Sequence, residues 1–306
     1  MIVLGISPLD KDATVTLMVD GRVVYSIAEE RLSSRKMHAG FPYQALEMVL
    51  ARSGVRAPEV DRVVYAFLDW EREAALMRNN LRSDLRLNRR TPRAKTSRLI
   101  REAQAKLYHR DFPVHGLSSA NERMEKGWLK RAVYKLASAD GLIGDLANHR
   151  QFRRWVKRAV ATHRGYQAEL EQGLREFGLD GKLHRVEHHL THVANAFYLS
   201  GFERALVVTL DGYGTGLAGS VSLADETGVR RLHNLDYPHS LGTFYETVTS
   251  ALGFHPDRHA GKIVGLAAYG DPTVLAGVLN NLVVWDDGGF QLLRSSDFLL
   301  PRRLST

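Results

Sequence analysis

RALVVTLDGYGTGLAGSVSLADETGVRRLHNLD, residues 204–236, contains three apolar runs separated by turn residues. RALVVTLDG (204–212), GSVSLAD (219–225) and VRRLHNLD (229–236) read as three strands, with Glu226-Thr227-Gly228 turning the second hairpin. LGTFYETVTSALGF (241–254) follows with the spacing of a helix. The same succession opens the chain. IVLGIS (2–7), ATVTLMV (13–19) and RVVYSIA (22–28) are strand-like, and Asp20-Gly21 between the last two is a strong hairpin signal. PYQALEMVLARSG (42–54) then places Ala45, Leu46, Val49 and Leu50 on one helical face, with Gly54 as a stop, and RVVYAFL (62–68) returns to strand. A strand-strand-strand-helix unit is therefore repeated within one chain.

Two such units facing each other across a cleft make the actin-like architecture, a duplicated ribonuclease H-like α/β fold. In that arrangement the hairpins between the first two strands of each half approach nucleotide phosphates. Both hairpin sites hold suitable groups: Ser7–Asp12 in the first half, and Asp211-Gly212-Tyr213-Gly214-Thr215-Gly216 in the second. Glycine lets backbone N–H groups approach a phosphate, and an aspartate can orient water or a hydrated cation. A tight hairpin also needs glycines for its own backbone. The first half is read as residues 1–200, with a basic helical insertion at about 71–180. The second is read as 201–306 and as incomplete.

The 306 residues carry a formal charge of +8, unevenly spread. Residues 81–165 hold 21 Lys/Arg against 7 Asp/Glu, so the remainder of the chain is acidic. This stretch, with loop signals at DFPVHGLSSAN (111–121), shows no nucleic-acid-binding motif and its aromatics are scattered. It reads as a solvated helical insertion, and nucleic acid is not an expected partner. The absence of cysteine excludes disulfides, thiolate metal sites and a thiol nucleophile. No apolar run reaches the roughly 18–20 residues of a membrane span, and MIVLGISPLDKDA lacks the features of a signal peptide, so a cytoplasmic location is expected.

Immediately before the second repeat lies EHHLTHVANAFY (187–198). On a helix His188 and His192 share a face, and His189 points about a quarter-turn away. Two imidazoles four residues apart suit one divalent cation, with a carboxylate from elsewhere to complete the site. The spacing is not that of the zinc proteases, since His189 stands where their general-base glutamate belongs. Histidines hydrogen-bonded at a domain seam are the plainer alternative. Phe197, Tyr198 and Phe244 read as core.

Three ordered segments carry a more specific resemblance: EERLSSRKMHAGFP (29–42), EHHLTHVANAFYLSGFERALVVTLDGYG (187–214) and HSLGTFYETVTSALGF…AGKIVGLAAYG (239–270). Together they resemble the O-carbamoyltransferases of nodulation-factor, cephamycin and tobramycin biosynthesis. The N-terminal part of those enzymes is similar to the tRNA-threonylcarbamoyl transferase. The resemblance implies iron or a related divalent metal on His188 and His192. It implies a phosphate loop at Asp211, Gly212 and Gly214, with Gly261 and Lys262 beside the nucleotide. His239, ahead of the LGTFY helix, is a cap or a cleft-lining residue. Lys36 and His38, with Arg31 and Arg35, fall in the substrate-side loop, and Lys11 and Asp12 fall at the catalytic tip of the first hairpin.

The implied reaction makes carbamoyl-adenylate from carbamoyl phosphate and ATP in a second, adenylate-forming domain. The carbamoyl group then passes to a hydroxyl of a sugar or antibiotic-like natural product. Three departures stand out. Lys11-Asp12 replaces the family's His-Asp, and Ala260-Gly261-Lys262 replaces Glu-Gly-Lys. The sequence also stops at Thr306, before the late Asp-containing metal motif and the adenylate-forming domain, which are expected on a missing or separate polypeptide. An actin-like sugar kinase and a catalytically silent nucleotide-binding paralogue or fragment are the competing readings.

Overall fold

A computed structural model describes residues 1–88, 142–237, 239–252, 254–273, 283–286 and 289–292. The loop expected at 111–121, and much of the basic stretch, lie outside the described residues. The chain divides into two compact units, one of Met1–Met77 with Val156–Phe202, the other of Arg78–Trp155 with Glu203–Thr306.

The first unit is built on a five-stranded mixed sheet in the order β3-β2-β1-β4-β5. Its strands are β1 (Ile2–Ile6), β2 (Thr14–Val19), β3 (Arg22–Ala28), β4 (Arg62–Tyr65) and β5 (Leu183–Arg185). β1 pairs antiparallel with β2 and parallel with β4, and β5 joins β4 in parallel. Alternation decides the faces: Val15 and Leu17 are fully buried on β2, while Met18 between strands β1 and β3 keeps substantial exposure. Asp20 and Gly21 both take positive φ, 48° and 80°, the two-residue turn that matches strand twist.

The first helices are α1 (Glu30–Ser33) and α2 (Tyr43–Ser53). On α2 the buried residues are Ala45, Leu46 and Val49, the face its spacing predicts, and Gly54 ends it in the left-handed conformation. β4 is shorter than its apolar run, because residues 66–68 leave the ladder for other partners. The Ala66 carbonyl turns to His188, and the Leu68 N–H donates to Glu73 Oε1 at 3.3 Å.

Helices α3 (Trp70–Asn88) and α4 (Leu142–Glu176) confirm helical structure at both ends of the basic stretch. Residues of α4 from Val156 onward belong to the first unit. There Arg164 covers the Trp70 ring, and the Trp70 N–H donates to Gln167 Oε1 at 3.0 Å. Helix α5 (His188–Tyr198) completes the unit. Phe197 is buried as expected, but Tyr198 is 66% exposed. One residue further along a helix turns the side chain by about 100°, off the inward face.

The second unit holds a three-stranded antiparallel sheet, β6-β7-β8. The strands are β6 (Ala205–Gly214), β7 (Leu217–Asp225) and β8 (Gly228–Asp236), and helices α6 (Leu241–Ala251) and α7 (Pro256–Ala267) follow. α6 packs against β6, and α7 against α6. Two further strands, β9 (Val283–Asp286) and β10 (Gly289–Leu292), form a separate hairpin. Both units are thus mixed α/β, and each repeats the strand-strand-strand-helix order. No described helix is long and apolar enough to cross a membrane.

Candidate functional site

In the first unit the histidine helix begins where the sequence places it. Glu187 is its N-cap, accepting from the N–H groups of His189 at 2.7 Å and Leu190 at 3.0 Å. That satisfies two orphan donors and sets a carboxylate at the positive end of the helix. His188 and His192 then stand one turn apart with their Nε2 atoms 3.0 Å from each other. The Nδ1 of His188 lies 3.1 Å from the carbonyl oxygen of Ala66. A carbonyl can only accept, so Nδ1 carries a proton, and in the neutral tautomer His188 has its lone pair at Nε2.

This arrangement fits a divalent cation. The 3.0 Å separation is that of a hydrogen bond between the two rings, and it brings both nitrogens within reach of one ion held about 2.0–2.1 Å from each. The Ala66 carbonyl supplies the backbone acceptor that commonly fixes the tautomer of a metal-binding histidine. Phe67 stacks on His188 at 4.5 Å between centroids, and His163 from α4 meets the same Phe67 ring edge-on at 5.0 Å. Burial, with a smaller contribution from the His188 charge, lowers the pKa of His163 to about 4, so this third imidazole is neutral. His189 is fully buried, its ring roughly perpendicular to that of His188. It is a residue of the packed interior.

The first hairpin tip is held by polar stitches. The Thr14 N–H donates to Ser7 Oγ at 2.8 Å, and Thr14 Oγ1 donates to the Asp12 carbonyl at 2.7 Å. Lys11 and Asp12 are exposed, and Asp12 takes a positive φ of 52°. Asp10 lies inside the Ser7–Asp12 span but was not singled out from it. Its side chain keeps an open face to solvent, yet the protein crowded around it strips enough solvation to raise its carboxyl pKa, against the pull of Lys11 and His188. Below it Tyr65 is buried and its phenol pushed up to about 12, chiefly by desolvation, while its oxygen accepts from the Leu9 N–H at 3.4 Å.

The loop carrying Lys36 and His38 is laced onto this hairpin. The Ala13 N–H donates to the His38 carbonyl at 3.2 Å, and the Gly40 N–H to the Leu9 carbonyl at 2.8 Å. Within the loop, Lys36 Nζ pairs with Glu30 Oε1 at 2.9 Å, and the Met37 N–H donates to Glu30 Oε2 at 3.0 Å. The Lys36 hydrogen bond is the main reason Glu30 is held below the usual carboxylate range. Lys11, Asp12, Lys36 and His38 are therefore on adjoining backbone segments, although the sequence separates them by up to 27 positions.

The second unit holds the glycine-rich candidates. A bulge inserts Asp211, Gly212 and Tyr213 between the Leu210↔Gly219 and Gly214↔Leu217 pairs. Thr215 and Gly216, with φ of 47° and 77°, close the turn. The Gly212 N–H donates to Asp211 Oδ1 at 2.6 Å. The start of α6 comes down on this bulge: Ser240 Oγ donates to the Asp211 carbonyl at 2.8 Å and accepts from the Thr243 N–H at 2.9 Å. A Cβ on Gly242 would lie 2.6 Å from the Gly212 nitrogen, so only glycine allows this approach.

Ser240 is thus the cap of α6. His239 precedes it, its N–H donating to the Asp236 carbonyl at 3.0 Å, and burial lowers its imidazole pKa to about 4. Tyr213 packs edge-on against Trp155 and Tyr237, which stack on each other at 4.9 Å. Gly261 and Lys262 lie on the exposed side of α7.

Comparison with known proteins bears on what these groups serve. An uncharacterized protein of the cyanobacterium Synechocystis is 27% identical over 297 residues, 95% of this chain and 38% of that protein. Nodulation protein NolNO of Sinorhizobium fredii is 33% identical over 123 residues, 39% of this chain and 18% of that protein. Nodulation protein NolO of Bradyrhizobium diazoefficiens is 39% identical over 88 residues, 28% of this chain and 16% of that protein. The chain spans less than two fifths of the length of these relatives. Residues 2–296 match the family described as Carbamoyltransferase N-terminus, the basic stretch included, and the chain belongs to that family.

Proposed function

We propose that this chain is the acyl-transfer part of an O-carbamoyltransferase, passing a carbamoyl group from carbamoyl-adenylate to a hydroxyl of a sugar or antibiotic-like acceptor. The observation that carries this reading is the His188–His192 pair, set with both nitrogens within reach of one ion and backed by a backbone carbonyl, within a chain of the carbamoyltransferase family. An actin-like arrangement of the two units is part of the proposal, as are carbamoyl phosphate and ATP as the source of the adenylate.

His188 and His192 would hold the divalent ion, iron or a similar metal. Such a cation, when bound, supplies Lewis-acid polarisation. The acceptor oxygen attacks the carbamoyl carbon. A new C–O bond forms, the bond from that carbon to the adenylate phosphate oxygen breaks, and AMP leaves with the electron pair. The hydroxyl proton passes to the first hairpin, where Asp10, its carboxyl lifted by lost solvation, is matched to receive it. Asp12 and Lys11 at the tip, and Lys36 and His38 on the laced loop, orient the acceptor. The Asp211–Gly214 bulge, with Gly261, Lys262 and His239 in the same unit, takes the nucleotide side.

The test supplies the chain with preformed carbamoyl-adenylate, ferrous ion, a panel of free sugars and the C-terminal segment of a carbamoyltransferase of the family. AMP release together with a carbamate-bearing sugar, detected by mass spectrometry, is the expected result. Lys11→His returns the family's His-Asp pair to the hairpin and raises that rate by up to ~10²-fold if an imidazole there takes the proton better than Asp10. Phosphorylated sugar and ADP when ATP is the only donor overturns the reading in favour of a kinase. No turnover above the spontaneous background overturns it as well.

A further inference from the structure

The basic stretch read from the sequence as a flanking insertion contributes a helix that grips the loop bearing Lys36 and His38. Glu169 of α4 accepts the Phe41 N–H at 2.9 Å, across 128 residues of chain. The same carboxylate oxygen would meet a Cβ on Gly40 at 2.6 Å, and Gly40 has a φ of 110°. The backbone restricts position 40 to glycine, and a side chain there would push the Glu169 carboxylate off the Phe41 amide. One turn further along α4, Gly173 lies flush against the Phe41 ring, with no room for a side chain. Phe41 itself is 2% exposed and sits 6.3 Å from Phe177.

The Gly40 N–H donates to Leu9, and the Ala13 N–H donates to His38. What fixes residues 40 and 41 thus also fixes how the His38 segment meets the Lys11–Asp12 turn. We infer that Glu169 is a positioning residue: through the Phe41 amide it sets the height of the Lys36–His38 loop against the first hairpin. This rests on the proposed acceptor-side role of that loop, but its test does not use carbamoyl transfer.

The test is site-resolved amide exchange on the whole chain, with the imidazole NMR signal of His38 as a second reading, in wild type, Glu169→Gln and Glu169→Ala. Gln keeps an oxygen that can accept from Phe41 and loses only the charge. Glu169→Ala is expected to speed exchange at Ala13 and Gly40 by about tenfold or more and to move the His38 signal, with β1 protection unchanged. Glu169→Gln is expected to restore both. Wild-type exchange at Ala13 and Gly40 in the alanine variant overturns the inference. If the alanine variant loses protection throughout β1, Gln decides: recovery of the two amides and the His38 signal supports positioning, and continued global loss makes Glu169 a fold element only. Failure of carbamoyl transfer with these results intact refutes the proposed reaction and leaves the positioning role standing.

Discussion

Both units lead three strands into a helix, but they treat the start of that helix in opposite ways. In the first unit the buried Glu29 carboxylate accepts the N–H groups of Ala45 at 2.7 Å and Gln44 at 3.3 Å, at the start of α2. The positive end of that helix is neutralised by a charge from its own chain. In the second unit the neutral Ser240 caps α6, whose positive end receives no charge from its cap. The turns differ in the same sense. Side-chain hydroxyls stitch Ser7–Thr14, whereas a glycine bulge and a helix at backbone contact shape Asp211–Gly214. One repeated succession thus yields a unit whose helix start is closed by a buried carboxylate and a unit whose helix start is capped by a neutral hydroxyl.

The largest effect expected from either unit is that of His192→Ala. Wild type equilibrated with ferrous or zinc ion and then desalted is expected to retain metal, and the variant to retain none. Equal retention in both assigns the cation elsewhere. Next in size is Glu29→Ala, which leaves the first turn of α2 uncapped inside the protein and is expected to cost about 2–3 kcal/mol in urea unfolding. Gly242→Ala is expected to cost about 1–3 kcal/mol in urea unfolding by forcing α6 off the bulge, and an unchanged midpoint would show that the close approach of α6 to the bulge is not needed.

The smallest effect is a pH dependence. His239 is neutral in the folded chain, its pKa lowered from 6.5 to about 4, so between those values only the unfolded chain takes up its proton. Stability therefore falls as pH drops from 6.5 towards 4. His239→Gln should flatten that slope in urea titrations, and an unchanged slope would remove His239 as its source.

The sequence made local features legible. Asp20-Gly21, the inward face of α2, the three strands of each unit and the one-turn spacing of His188 and His192 all depend on neighbours within a few residues. The end of β4 after Tyr65 was hidden, because it depends on Ala66 and Leu68 finding partners beyond position 72. Asp10 carries no motif; its character comes from lost solvation, with Tyr65 and Tyr166 close enough to feel its charge. Glu169 was not singled out, because its contact with Phe41 has no local signature. Ser240 was legible as a helix cap, but the weight fell on the adjacent His239. Lys36 was placed in the substrate-side loop by resemblance alone, and its pairing with Glu30 has no sequence signal.

The first unit is also discontinuous along the chain, and this governs when it can form. β5 adds to β4 by pairing Leu183 with Val63, closing about 120 residues of polypeptide. An unstructured loop of that size costs about 4 kcal/mol to close, before the constant term for bringing its ends together. Formation of α3 and α4 beforehand shortens the effective loop and reduces that cost. During synthesis, the first strands emerge long before β5 and the histidine helix can dock on them. A nascent chain ending near residue 77 carries Lys11, Asp12 and His38 but no imidazole pair, and it exposes the edge of β4. Refolding of this unit should therefore be slow for its size and sensitive to the helicity of α4, since long-range parallel pairing is the late step.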